Sequence, residues 1–130
     1  MDVTSLHSLN TLDFNFSDRK NFNDKHLSLL SNGLKGLHAL KDLSLKFREC
    51  EKLTNQGIKS LCACFENLSN LLTLNLNLMG CVSLSNEALI LLSSGLQKLS
   101  ALTELTLNFS YLDTADLGLH IFQSVGQTQS

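Results

Sequence analysis

Two rhythms of apolar and polar residues take turns along the chain. The clearest case of the first is Leu71–Leu78, where Leu74, Leu76 and Leu78 alternate with Thr73, Asn75 and Asn77. A period of two residues predicts a β-strand with one buried face. The same alternation puts Leu12/Phe14/Phe16, Leu43/Leu45/Phe47 and Leu105/Leu107/Phe109 on one side of three further strands. After the first three strands come a turn, a large apolar residue (Phe22, Leu53 or Leu84), and then Asp24, Asn55 or Asn86. Asp and Asn side chains take an orphan amide at a helix start, so these three are the expected N-caps. Beyond them the rhythm turns helical, with Leu27/Leu30/Leu34, Ile58/Leu61/Phe65 and Leu89/Leu92/Leu96 at i, i+3, i+7. Helices are predicted over roughly 25–35, 56–66 and 87–97. A fourth, weaker helix is expected around Asp116, Leu119 and Phe122, fading into Gly126–Ser130.

The strand–turn–helix phrase recurs at a fixed interval. Leu6, Leu37, Leu68 and Leu99 open near-identical lead-ins, each 31 residues after the last. This divides a single domain, 1–130, into units of approximately 6–36, 37–67, 68–98 and 99–126. One such unit has an apolar strand face and an apolar helix stripe but cannot bury both alone, so its neighbours must cover it. Parallel strands stand about 4.8 Å apart, whereas packed helices need about 8–10 Å. Such a stack bends, with strands inside and helices outside.

The pattern Leu-x-x-Leu-x-x-Leu-x-Leu with a helical return resembles the leucine-rich-repeat family, in its ribonuclease-inhibitor-like subclass. The resemblance covers about Leu6 to Val125. It implies an α/β leucine-rich-repeat solenoid, a short right-handed arc with parallel strands on the concave side and helices on the convex side. It also implies a protein-binding concave face. Family members usually carry Asn or Cys three residues past the last strand leucine, where the side chain bonds backbone. That column here is Arg19, Cys50, Cys81 and Leu112, so only its middle two positions conform.

Charge and composition remove several classes of function. Ten basic and twelve acidic residues give a net charge of −2, with no Lys/Arg run of the kind that neutralises phosphates, so no nucleic-acid partner is expected. No apolar run approaches a membrane span, and Met1–Ser5 shows no signal peptide, so a cytoplasmic protein without membrane contact is expected. In that setting Cys50, Cys62, Cys64 and Cys81 are expected as reduced, mostly buried thiols. Cys62 and Cys64, two apart on a helix, do not share a face, and no ligand set completes a metal site. The four histidines form no recognisable set, and no nucleophile elbow or phosphate-binding loop is present. No enzyme activity, cofactor, metal or small-molecule substrate is therefore expected.

Candidate contacts remain on the strand face that points away from the core. Its expected rows are Thr11/Asp42/Thr73/Glu104, Asp13/Ser44/Asn75/Thr106, Asn15/Lys46/Asn77/Asn108 and Ser17/Arg48/Met79/Ser110. One reading is a solvated polar sheet face. The other is a face that binds a protein partner through Asp13, Asn15, Asp42, Lys46, Arg48, Asn77, Met79 and Asn108. Lys46 and Arg48 beside an exposed Met79 are the strongest of these, since Arg is favoured at interfaces and Met is adaptable. No polar capping unit is visible at either end, so the chain is also expected to sit in a larger protein or complex. The function expected is a non-catalytic interaction or scaffold module. Alternatives are a structural subunit docked through its ends and a regulatory module of an enzyme encoded elsewhere.

Overall fold

The computed structural model describes residues 8–109 of the 130. The expectations for Leu6, His7, Ser110, Leu112 and the helix around Asp116, Leu119 and Phe122 lie outside the described residues. The fold is α/β. Strands β1 (Thr11–Asn15), β2 (Asp42–Lys46), β3 (Thr73–Asn77) and β4 (Glu104–Asn108) form one parallel sheet in the order β1-β2-β3-β4. Between them run helices α1 (Asp24–Leu34), α2 (Asn55–Cys62) and α3 (Asn86–Leu96).

Every strand pair is in register at an offset of 31 residues: Leu12↔Leu43, Leu43↔Leu74 and Leu74↔Leu105 are opposite one another. The two-residue period then decides which side chains point inward. Leu43, Leu45, Leu74, Leu76 and Leu105 are buried with the helix residues Leu27, Ile58, Leu61, Leu89 and Leu92 in one core cluster. The opposite sheet face is left to polar residues. In β1, by contrast, Leu12 and Phe14 are only half-buried, as is Phe16 just beyond it. Phe16 stacks on Phe22 at 4.6 Å and on Phe47 at 5.9 Å between ring centroids.

The helix starts differ from the expectation by one residue. Asn23, Thr54 and Ser85 are the N-caps, in extended backbone, and their side-chain oxygens accept amides of the first turn. Asn23 Oδ1 takes the N–H groups of Lys25 and His26, and His26 Nδ1 in turn accepts Asn23 N–H at 3.1 Å. Asp24 and Asn55, one position later, reach across to the next helix instead. Asp24 Oδ1 accepts Thr54 N–H, and Asn55 Oδ1 accepts Ser85 N–H at 3.2 Å. Both columns hold good capping residue types, and neighbouring helices compete for the second column.

Helix α2 ends at Cys62, earlier than expected, and is followed by a 3-10 turn at Phe65–Asn67. The tighter winding is accompanied by complete burial of the adjacent side chains Cys64 and Phe65. The turn after each of the first three strands passes through the left-handed region at one column, Asp18, Glu49 and Gly80, with φ of 65°, 59° and 76°. Asp18 N–H donates to Arg48 C=O and Glu49 N–H to Met79 C=O, both at 2.7 Å, so this twist ties each turn to the next.

Candidate interaction surface

The strand register turns the polar alternation into straight rows. Asn15, Lys46, Asn77 and Asn108 pair in succession across the sheet, as do Thr11, Asp42, Thr73 and Glu104. Asp13 opens the row between them, and Arg48 and Met79 follow the ends of β2 and β3. All eight residues singled out in the sequence therefore stand on or just beyond this face, and none belongs to the core cluster.

Their availability differs. Asn15 Oδ1 accepts Ser17 N–H and Asn77 Oδ1 accepts Met79 N–H, both at 3.0 Å, so these two asparagines brace the strand exits with their own backbone. Asp42 is held on both oxygens: Thr73 Oγ1 donates to Oδ1 at 2.7 Å and Thr11 Oγ1 to Oδ2 at 3.4 Å. Lys46 Nζ lies 3.8 Å from Asp13 Oδ2, a loose and solvent-exposed pair worth under about 1 kcal/mol. Arg48 is exposed, and its backbone N–H is taken by Ser17 Oγ at 3.2 Å. Met79 is 37% exposed. Arg48 and Met79 thus present a cation and a soft apolar surface together, the pairing that suits a protein contact.

The first row also builds a feature that the sequence pattern does not single out. A groove of about 340 Å³ runs over the N-terminal half of the sheet face, lined by Asp13, Asp42, Ser44, Thr73, Asn75 and Glu104 among others. Ser44 Oγ and Asn75 Oδ1 are buried there without a hydrogen-bond partner. The available signal was an Asp set between two Thr in one row, with an acid on the strand beyond. The face is consequently polarised: carboxylates over the strand starts, Lys46 and Arg48 over the strand ends.

The thiols stand apart from this surface. All four cysteines are free and buried. Cys50 Sγ donates to Phe16 C=O at 3.1 Å and Cys81 Sγ to Phe47 C=O at 3.0 Å, each tying its turn to the preceding strand exit. Burial pushes Cys50 upward, Cys81 up to about 11, and Cys62 and Cys64 up to about 12, which suppresses the nucleophilic thiolate. Among the described residues, no group of three or more His, Cys, Asp or Glu could hold a metal ion, and no helix is long and apolar enough to cross a membrane. No protein-family model matches the chain, and no match is found among curated proteins.

Proposed function

We propose that this chain is a leucine-rich-repeat solenoid acting as a non-catalytic, cytoplasmic interaction or scaffold module that binds a protein partner through its polar sheet face. The curved arrangement, with that face concave and the helices convex, follows from the unequal spacing of strands and helices. The observation that carries the reading is the juxtaposition of exposed Arg48 and Met79 at the exit of an ordered polar face four strands wide. Regular rows of side chains on a sheet lose little conformational entropy on binding, which favours a rigid contact surface.

A second reading, docking through the first end of the sheet, is favoured by one specific contrast. Leu12, Phe14 and Phe16 are half-buried, whereas Leu43, Leu45 and Phe47 in the same columns are buried. Beside Phe14 lies an apolar groove of about 320 Å³ that includes Leu29, itself 61% exposed. Recovery of a partner under native conditions separates the two. Lys46→Glu with Arg48→Glu abolishes recovery if the polar face binds, and Leu29→Glu abolishes it if the end binds. A partner indifferent to the first pair refutes the primary reading.

A further inference from the structure

Resting on the reading that the sheet face binds a protein, we infer that the groove over the strand starts receives the cationic side chains of an extended Arg- or Lys-bearing segment of that partner. Asp13, Asp42 and Glu104 line the groove and no Lys, Arg or His does. Among the described residues Asp13 pairs loosely with Lys46 at 3.8 Å, and the ion pairs give Asp42 and Glu104 no cation. The Thr11 and Thr73 hydroxyls fix the Asp42 carboxylate in place while leaving each oxygen a further lone pair. Between these acids, Ser44 Oγ has no partner and the acceptor Asn75 Oδ1 receives no donor. Guanidinium and ammonium groups are donors without acceptor capacity, and they carry the opposite charge.

Spacing favours a chain over a single ion. The carboxylates lie on β1, β2 and β4, and strands stand about 4.8 Å apart, so the charge spreads over roughly 14 Å. An extended peptide advancing about 3.3 Å per residue crosses that distance in four or five residues.

The test uses the full chain with labelled octa-arginine, and octa-glutamate as the opposite-charge probe, followed by fluorescence anisotropy. The face variant D13N/D42N/E104Q is compared with E51Q/E66Q/E87Q, which removes the same charge from exposed residues elsewhere. Octa-arginine is expected to bind the wild type and octa-glutamate not. The face variant is expected to bind at least about tenfold more weakly, and the control within about twofold of wild type. Equal weakening in both variants, or none in the face variant, overturns the inference. Should D42N perturb folding, D13N/E104Q keeps the Asp42–threonine bonds and decides by the same comparison. A partner lost with K46E/R48E but unaffected by the face variant refutes the cationic segment alone. A partner indifferent to both refutes the binding face itself.

Discussion

The Asp24 carboxylate, in the first turn of α1, accepts both the backbone N–H of Thr54 at 2.9 Å and the Thr54 hydroxyl. Thr54 is the N-cap of α2, so the start of one helix organises the start of the next. Asn55 repeats the bond to Ser85, with Nδ2 donating to Ser85 Oγ at 2.8 Å. Asp24→Ala is expected to cost about 2 kcal/mol, the scale of a hydrogen bond to a charged group, and Asp24→Asn less. Gly57 lies under the same carboxylate, and a Cβ there would sit 3.1 Å from Asp24 Cγ and closer still to an oxygen. Gly57→Ala should therefore destabilise the wild type but much less the Asp24→Ala protein. Urea denaturation of the four proteins of this cycle measures the coupling, expected above about 0.5 kcal/mol. Additive effects would show that the two residues do not compete for space.

The left-handed column supplies an opposing pair of outcomes. Glu49 adopts φ 59°, which its Cβ disfavours, whereas Gly80 meets the same demand freely at φ 76°. Glu49→Gly is expected to raise stability by about 0.5–1 kcal/mol. Gly80→Ala is expected to lower it by at least about 1 kcal/mol, since its Cβ would also lie 2.7 Å from Glu49 Cγ. Asp18→Gly should gain less than Glu49→Gly, because Asp tolerates the region better. Thermal melts rank the three variants.

Position along the sheet should grade the cost of truncating one leucine column. Leu74 is 2% exposed, so Leu74→Ala is expected to cost about 2–5 kcal/mol. Leu12 faces the same core from β1 but is only half-buried, and Leu12→Ala should cost less than half as much. Chemical denaturation compares them. Equal losses would mean that β1 is as enclosed as β3.

Much of this arrangement was legible in the sequence. The interval of 31 between Leu6, Leu37, Leu68 and Leu99 equals the offset at which the strands pair, and period-two leucines marked the buried sheet face. The N-caps were misplaced because Asn23-Asp24, Thr54-Asn55 and Ser85-Asn86 are each two adjacent capping types. Only three-dimensional proximity of the helix starts assigns the second residue across the gap. The early end of α2 was hidden for a related reason. Phe65 sits at the helical spacing from Ile58 and Leu61, and burying it beside Cys64 favours a tighter turn. On the candidate face the rows were readable, but the commitment of Asn15 and Asn77 to their own backbone was not.

Alkaline pH should weaken the fold through the thiols. Burial raises Cys62 and Cys64 to about 12 and Cys81 to about 11 from an ordinary 9.0. A thiol raised in the folded state holds its proton more tightly there than in the unfolded chain. Its contribution is complete below about pH 9 and falls as pH climbs toward about 11 and 12. The urea midpoint is expected to be insensitive to these thiols near pH 7 and to drop above pH 9, less steeply in Cys81→Ala. A thiol-reactive disulfide reagent at neutral pH should label the four cysteines rapidly only once urea is added.

Backbone to backbone, among the described residues, each strand neighbours only the next strand and each α-helix only the next α-helix, apart from the short Phe65–Asn67 turn. A gene that duplicated or dropped one 31-residue block inside the array would recreate joints of the kind already present. Every added block would widen the exposed platform by one strand, about 4.8 Å. The breadth of the polar sheet face becomes a matter of copy number.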